Sequence, residues 1–520
     1  MDLPQSRLFS EGFFIAQAVN QKMNFDSSNL RSKKMVDLVK KKVGKLIGLP
    51  KSEFNQLIRS KEISLSKPRL IPIYKLGDEM ALTSVILSAF KLIKEFKAAI
   101  FSESKIQKGG ALYVYTEVAF NDYPDSRIDG LLLIVKAGTI RDAAILEMKN
   151  GKNILEKEQI ERYQQIAKNY GIPKFLTISN QFVTDSTQSP ISMKDVRGVD
   201  MYHFSWTYLL TIAHVLLFDN DTNIENEDQV NIMQEVVHYL EHSKSGVVGL
   251  NQMNTGWADV VEKINTGASL KVSDIEVYDT VLSWQQEERD MALFLSRELG
   301  VMVNSGESKY KGKLHERLKA DSKELIANKQ LDSIFRVRGA VSDIKVLALF
   351  DKRTVEMIVT LKPPENMTYK GHLGWLKRQL DNCGKKDDVL FNALSKSIYI
   401  EVLIKNSRTS ERYTVFEFDA AIEQLKGRDI REFRIIYLKD FGKAFSSPRK
   451  FVDVIEAMLK DYYKGVIQHL TKWEPKAPKL ESKKEPLDEE RFIEDVNSGV
   501  WPIETDANES MKPLQKTTEN

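Results

Sequence analysis

The most informative part of the chain is residues 111–149, which read ALYVYTEVAFNDYPDSRIDGLLLIVKAGTIRDAAILEMK. This part contains three segments of strand-like composition, rich in Val, Ile, Leu, Tyr and Phe. The two connectors between the segments, NDYPDS and AGT, consist of residues that favour turns. The pattern therefore predicts a β-meander of two hairpins, in which each strand runs antiparallel to the next.

Helices and further strands are predicted on both sides of the meander. Asp78 is a candidate N-cap for one long apolar helix over residues 79–100. An amphipathic helix is predicted over 153–170, followed by a buried strand over 174–180 and by a short strand and an apolar helix over 201–218. This order predicts an α/β core, in which a mixed β-sheet is flanked by helices.

The length of the chain requires more than one domain. A chain of 520 residues exceeds what one ordinary core supports. The sequence predicts a basic helical region over residues 1–70, a first domain over 71–245, a helical connector over 246–325 and a second α/β or α+β domain over 326–475. Residues 476–520 are rich in Pro, Lys and Glu and are predicted to be a disordered tail.

Composition excludes several classes of protein. Hydrophobic residues make up 42% of the chain and charged residues 29%, which is the balance of a water-soluble protein. A single cysteine, Cys383, excludes an internal disulfide and any metal site built from a cysteine cluster. The N-terminus lacks a secretory pattern, so we expect a cytoplasmic protein with no membrane partner. No Walker, GxGxxG or GxSxG motif occurs.

Positive charge is concentrated near the N-terminus. The net charge is only +3, so affinity for nucleic acid would have to come from local patches. Residues 30–70 hold twelve Lys or Arg against three acidic residues. The lysines there lie opposite an apolar stripe at helical spacing, which fits either a solvated helix face or a phosphate-binding surface. The candidate DNA-binding residues are Lys40, Lys41, Lys42 and Lys45.

Charged residues in the predicted meander form a candidate site. Glu147 and Lys149 are two residues apart in one strand, so their side chains share a face. A hairpin turn centred on Gly138 places Asp129 directly opposite Glu147, with Cβ atoms about 5 Å apart. Glu117 joins the same row if the preceding hairpin turns around Tyr123. A slip of either register by one residue would move a carboxylate to the other face.

This arrangement of charges points to metal-dependent chemistry. Neighbouring carboxylates raise one another's pKa unless a cation neutralises them. Oxygen ligands on a rigid sheet suit Mg²⁺, with Mn²⁺ as a substitute, so the candidate metal ligands are Asp129, Glu147 and Glu117. Lys149 adds a cation suited to holding an attacking hydroxide. Two carboxylates and one lysine therefore predict hydrolysis of phosphodiesters.

These residues resemble the signature of the PD-(D/E)XK nuclease superfamily, which has the restriction-endonuclease-like fold. The signature here is Ile128-Asp129 followed by Glu147-Met148-Lys149, and Ile128 stands where the family's motif has proline. The resemblance implies Mg²⁺-dependent endonucleolytic cleavage of DNA. In that scheme Asp129 and Glu147 bind the metal and Lys149 activates water.

The resemblance extends over roughly residues 70–215. The family places a Glu on the helix before the first strand, and Glu79 occupies that place. It commonly has a Gln and a Tyr on the helix after the Glu-x-Lys strand, and Gln159 and Tyr163 match. By this resemblance Glu79 and Gln159 support the catalytic residues.

Alternative interpretations remain open. The charged residues of the meander could form an ordinary exposed cross-strand ion pair. A nuclease-like fold could also be retained as an inactive DNA-binding or partner-docking module, or the enzyme could act on RNA. Members of the family serve restriction, repair and anti-phage defence. We favour anti-phage defence or restriction, with DNA and other defence-system proteins as partners and a dimer as a plausible state.

Overall fold

The computed structural model describes residues 44–67, 75–218, 221–306, 308–310, 313–365, 367–418 and 423–474. Lys40, Lys41 and Lys42 lie outside these ranges, as do the rest of residues 1–43 and the tail from 475 onward. No helix within the described ranges is long and apolar enough to span a membrane.

The chain divides into two compact units. The first unit comprises the chain up to Ile178 together with Ile191–Tyr202, and the second comprises Ser179–Pro190 and the chain from His203 onward. Residues 203–245, which the sequence assigned to the first domain, therefore cluster with the second unit.

The first sheet has six strands among the described residues, and they lie side by side in chain order. The strands β1 to β4 pair antiparallel, whereas β4 and β5 are parallel, so the sheet is mixed as predicted. The strands are β1 (Ile63–Ser66), β2 (Ala111–Phe120), β3 (Arg127–Lys136), β4 (Thr139–Met148), β5 (Lys174–Ser179) and β6 (Asp200–Ser205).

Both hairpin registers of the meander are confirmed. Gly130 pairs with Leu146 across β3 and β4, which is the predicted pairing. It does not arise from a turn centred on Gly138, because Lys136 pairs with Thr139 across a two-residue turn, and a bulge between Ile134 and Val135 then shifts the register by one residue. Thr116 pairs with Gly130, and Val118 with Ile128, across β2 and β3. This second register is the one set by a turn around Tyr123. The length and chemistry of the connector NDYPDS were sufficient to place this register.

Helices pack on both sides of this sheet. They are α1 (Lys51–Arg59), α2 (Glu79–Leu92), α3 (Lys94–Glu103) and α4 (Lys157–Asn169). Gly130 lets α2 approach closely, because a Cβ at that position would lie 3.0 Å from Leu87 Cδ1 and 3.2 Å from Leu146 Cβ. On the side of α4, Ile160 and Phe175 belong to one buried apolar cluster with residues of the meander.

The single long helix predicted over residues 79–100 is wrong in one respect. Asp78 caps α2 as predicted, since its carboxylate accepts a hydrogen bond of 2.9 Å from Met80 N. The helix is interrupted at Ile93, however, where the backbone is extended. The interruption brings Phe96 back against Phe90, with ring centroids 5.4 Å apart. Helical periodicity did not reveal this break because both halves are apolar.

The second unit combines a sheet of seven antiparallel strands with helices. Among the described residues the strand order is β12-β11-β13-β10-β9-β8-β7. The strands are β7 (Asn304–Ser305), β8 (Gln330–Arg336), β9 (Ile344–Leu349), β10 (Thr354–Leu361), β11 (Ile398–Ile404), β12 (Ser410–Thr414) and β13 (Ile430–Asp440).

The helices of this unit from residue 256 onward share one apolar core with the sheet. Its α-helices are α5 (Trp206–Leu217), α6 (Glu227–Glu241), α7 (Gly256–Thr266), α8 (Ile275–Leu299), α9 (Leu314–Asn328), α10 (Tyr369–Lys386), α11 (Asp388–Ser395), α12 (Lys443–Ser446) and α13 (Pro448–Gly465). Two short 3-10 helices cover Ser308–Tyr310 and Ile467–His469. Trp257 and Trp284, from the part predicted as a connector, are fully buried in this core. The helices α7 and α8 thus help to build the second unit.

Candidate active site

The structure brings Asp129, Glu147 and Lys149 together at adjacent ends of β3 and β4. Asp129 Oδ2 accepts a hydrogen bond of 2.7 Å from Met148 N. The ammonium of Lys149 lies 2.7 Å from Glu147 Oε1. The confirmed register of the hairpin is the reason for this convergence, since it continues from Gly130 and Leu146 directly to Asp129 and Glu147.

The parallel strand β5 holds the Glu-x-Lys segment in place. Glu147 pairs with Thr177 in the ladder. Lys149, one residue beyond β4, donates its backbone N–H to Ile178 O at 2.8 Å. Because the backbone is bonded on this side, the Glu147 and Lys149 side chains project from a rigid base.

Both carboxyl groups have raised pKa values. Burial raises the pKa of Asp129 well above its usual range and the charge of Glu147 adds to this, while the Met148 N–H and Lys149 oppose it. Burial also raises the pKa of Glu147, against the opposing effect of Lys149. The Glu147 side chain is 1% exposed. Apart from Lys149 and the Asp129 carboxyl, no donor among the described residues serves its oxygens.

Lys149 is held as a cation. Burial by itself lowers the pKa of Lys149, but the charges of Glu147, Glu79 and Asp129 outweigh that effect and raise it. A lysine in this state does not accept a proton at neutral pH. It therefore stabilises negative charge beside the two carboxyl groups through its own positive charge.

Glu79 connects α2 to the loop after β4. Its Oε2 lies 3.8 Å from the Lys149 ammonium. Its Oε1 accepts hydrogen bonds from Asn150 N at 3.1 Å and from Asn153 Nδ2 at 2.6 Å. The Asn150 side chain in turn donates to Gly77 O at 2.9 Å. The site thus contains two asparagines that sequence reasoning missed, although the polar turn NGKN directly after Lys149 was a signal for them.

Gln159 and Tyr163 reach the site indirectly. Gln159 Nε2 donates to the Tyr163 hydroxyl at 3.3 Å, and this hydroxyl donates to Arg127 O at 2.6 Å. Burial raises the pKa of Tyr163, and the charge of Glu147 raises it further. Gln159 therefore contacts Tyr163 rather than the carboxylates, and Tyr163 anchors the start of β3.

Glu117 does not join the other carboxylates as a third metal ligand. Its backbone is left-handed, with φ of +52°, and its Oε2 lies 3.5 Å from Arg127 Nη1. No three Asp, Glu, His or Cys side chains within the described ranges are grouped so that they could hold a metal ion. The register is as predicted, so the difference arises from the local backbone of Glu117.

The alternation of side chains is interrupted on both strands at this point. Tyr115 and Val118 of β2 lie three residues apart, yet both belong to the core on the α4 side of the sheet. Ile128 and Leu131 of β3 show the same offset in the same core. A prediction based on strict alternation, with a period of two residues, cannot represent such an interruption.

Of the predicted DNA-binding lysines, the structure describes only Lys45. This residue is exposed, and its side chain runs beside Gly171, where an added Cβ would meet Lys45 Cβ at 2.9 Å. Gly171 follows the C-terminal end of α4, whereas Gln159 lies in the first turn of that helix. The structure does not place Lys45 with the carboxylates.

Comparisons with known proteins identify no relative of this chain: no protein-family model, no curated protein and no solved structure matches it. The function is therefore argued from the geometry of the site. The central features of the site are a buried and a half-buried carboxyl group on neighbouring strands and a lysine held as a cation beside them.

Proposed function

We propose that this protein is a metal-dependent nuclease that hydrolyses DNA phosphodiester bonds. The observation that carries the proposal is the meeting of Asp129 and Glu147 on adjacent strands, with the Lys149 ammonium 2.7 Å from Glu147. The order of α2, the meander, α4 and the parallel strand β5 supports a restriction-endonuclease-like core of the PD-(D/E)XK type. A role in anti-phage defence or restriction is part of this proposal.

Asp129 and Glu147 fit a divalent cation. A buried and a half-buried carboxyl group with raised pKa values are costly to ionise together unless a cation neutralises them. Mg²⁺ is commonly held by one or two protein carboxylates together with water and substrate phosphate, and Mn²⁺ accepts the same ligands. When bound, the ion would polarise the phosphate and lower the pKa of a water molecule.

Lys149 and Glu79 supply the remaining functions. The Lys149 ammonium stabilises the attacking oxygen and the negative charge that develops on the phosphate. Glu79 helps to keep the ammonium in position, and the loop of Asn150 and Asn153 holds Glu79. Lys149 is therefore expected to act by its charge and not as a general base.

A cleavage assay tests the proposal. Plasmid DNA, linear DNA and RNA are each incubated with Mg²⁺, with Mn²⁺ or with EDTA. We expect metal-dependent cleavage of DNA that Glu147→Gln and Lys149→Ala reduce at least about a hundred-fold, since each removes a central charge. Glu161→Gln, an exposed carboxylate on α4, serves as the matched control and should cleave like the wild type.

Several outcomes would contradict this assignment. Cleavage that persists in both active-site variants would place the chemistry elsewhere. Binding of DNA without cleavage under either metal would favour an inactive DNA-binding module, and cleavage confined to RNA would favour an RNA-directed enzyme. Circular dichroism of each variant establishes that a loss of cleavage is not a loss of folding.

A further inference from the structure

Glu117 occupies a strained position in the middle of a strand. Its φ of +52° is left-handed, a conformation that a non-glycine residue seldom adopts. It lies between two regular ladder pairs, Thr116 with Gly130 and Val118 with Ile128, so the surrounding strands impose the conformation. Backbone strain of this kind concentrates at functional sites.

The carboxylate of Glu117 contacts Arg127 and acts electrostatically on Asp129 of the candidate active site. Its Oε2 is 3.5 Å from Arg127 Nη1. Its negative charge also raises the pKa of Asp129, although burial and Glu147 are the larger causes. Glu117 therefore interacts both with the exposed Arg127 and with a carboxyl group of the candidate site.

Arg127 combines a fixed backbone with an exposed guanidinium. Its carbonyl accepts the hydrogen bond of 2.6 Å from Tyr163, which is itself within the field of Glu147. Its side chain is 67% exposed, and the contact with Glu117 is single and long. Arg317 differs, because its side chain is only 12% exposed and two of its nitrogens bind Glu288 at 3.0 and 2.6 Å.

An exposed ion pair such as Glu117–Arg127 contributes little free energy, so Arg127 can leave Glu117 for another partner at a small cost in free energy. The site also needs a cation at its rim. Three carboxyl groups, Glu79, Asp129 and Glu147, act on the Lys149 ammonium, and Glu117 adds a further negative charge near Asp129. An excess of acidic groups repels a phosphodiester backbone. Arginine is suited to this task because its guanidinium can donate two parallel hydrogen bonds to one phosphate.

We propose that Arg127 binds a backbone phosphate of the nucleic-acid substrate and that Glu117 is the exchangeable partner that holds Arg127 until substrate arrives. This inference rests on the proposed nuclease function and adds a substrate contact to it. Glu117 thereby acts as a positioning residue rather than as a metal ligand.

Direct binding measurements test the role of Arg127. The anisotropy of a fluorescent DNA duplex is followed in EDTA, which prevents cleavage, at several salt concentrations. We expect Arg127→Ala to weaken binding about ten-fold, as for a lost charge-assisted hydrogen bond. It should also reduce the salt slope of log K by about one, and Arg127→Lys should restore part of the affinity.

Arg141→Ala is the matched control. Arg141 is also an exposed arginine of this sheet, but it lies six residues before Glu147 on β4, about 20 Å away at the rise of an extended strand. Its loss should leave affinity and salt slope unchanged. Equal effects of the two alanine variants, or no effect of Arg127→Ala, would overturn the inference.

Glu117→Gln separates the two roles considered for Glu117. If it restrains Arg127, the variant binds duplex several-fold more tightly than the wild type and still cleaves at the usual Mg²⁺ concentration, because a negative charge has been removed beside a phosphate site. A loss of cleavage that extra Mg²⁺ restores would instead make Glu117 a metal ligand and overturn its role as a partner of Arg127.

Failure of this inference is distinguishable from failure of the nuclease assignment. If Glu147→Gln abolishes cleavage while Arg127→Ala binds like the wild type, the nuclease assignment stands and the phosphate contact is refuted. If the wild-type protein neither binds nor cleaves DNA, both are refuted.

Discussion

At the scale of single residues, the site depends on the different partners of the two carboxylate oxygens of Glu79. One oxygen faces the Lys149 ammonium and the other accepts hydrogen bonds from the loop after β4. The loop begins directly after Lys149, and its hydrogen bonds hold the Glu79 carboxylate beside the Lys149 ammonium. Asn153 contributes the shorter of these two hydrogen bonds.

We expect Asn153→Ala to lower kcat about ten-fold, because residues that orient catalytic groups commonly have effects of this size. KM should change less than about two-fold, since Asn153 orients Glu79 and does not bind substrate. Steady-state cleavage kinetics measure both constants. Asn55→Ala is a suitable control, because Asn55 is also exposed and its side chain accepts a hydrogen bond of 2.9 Å from Lys51. A fall in kcat of the same size in both variants would contradict the role given to Asn153.

At the scale of elements, α2 carries Glu79 as its first residue, so the start of this helix positions part of the site. The Asp78 cap fixes that start. The break at Ile93 keeps α2 short and lets Phe96 pack back on Phe90. The position of Glu79 thus depends on a cap at one end of the helix and on aromatic packing at the other.

Removal of the cap should loosen α2 locally. We expect Asp78→Ala to cost about 1 kcal/mol, as is typical for the loss of an N-cap. Amide hydrogen exchange in the first turns of α2 should accelerate correspondingly, and cleavage should slow. Asp78→Asn retains a capping oxygen and should exchange nearly like the wild type. Unchanged exchange in Asp78→Ala would show that packing alone fixes the helix start.

At the scale of the whole molecule, the second unit buries carboxyl groups that take no part in the proposed chemistry. Burial raises the pKa of Asp290 on α8 to about 6, an effect that Arg297 opposes. Burial also raises the pKa of Glu456 on α13 to about 7, and the charge of Asp290 adds to it. Glu287, fully buried on α8, has a pKa raised well above its usual range, first by burial and then by Glu456.

The stability of this unit should therefore fall as pH rises. Because the folded pKa values exceed the unfolded ones of 3.8 and 4.5, the folded unit binds more protons between about pH 4 and pH 7. We expect the free energy of unfolding to decrease by about 2 kcal/mol or more from pH 5 to pH 8, since each unit of pKa shift corresponds to about 1.4 kcal/mol.

Tryptophan fluorescence can follow this transition selectively. The described tryptophans, Trp206, Trp257, Trp284, Trp375 and Trp473, all belong to the second unit. Urea unfolding at each pH gives the free energy, and Glu456→Gln should flatten its pH dependence. A stability that rises between pH 5 and pH 8 would contradict the prediction.

Much of the first unit followed from local patterns in the chain. Turn residues at NDYPDS and AGT, with apolar segments between them, were enough to predict both hairpins and the register of the first. The register that carries Asp129 to Glu147 also agrees with the prediction, but it results from a two-residue turn and a bulge rather than from a turn centred on Gly138. Asp78 as the cap of α2 was also visible, because capping is a local interaction. The prediction of a mixed sheet flanked by helices was also confirmed, because it rested on local patterns of apolar and polar residues.

The remaining features depend on contacts between distant parts of the chain. The break at Ile93 accompanies the packing of Phe96 on Phe90, and residues 203–245 cluster with the second unit through their contacts in the folded chain. The hydrogen bonds from the loop after β4 to Glu79 join residues more than seventy positions apart.

Turn chemistry, caps and apolar periodicity act over a few residues, so the amino-acid order alone was sufficient for the meander and for the register of its first hairpin. The bulge that brings the second hairpin to its register at Asp129 and Glu147 was decided by the folded sheet. The left-handed backbone of Glu117, its contact with Arg127 and the hydrogen bonds that hold Glu79 were settled only when strands and helices packed together. Such features depend on many contacts between residues that are far apart in the chain, so no short segment of the sequence is sufficient to predict them.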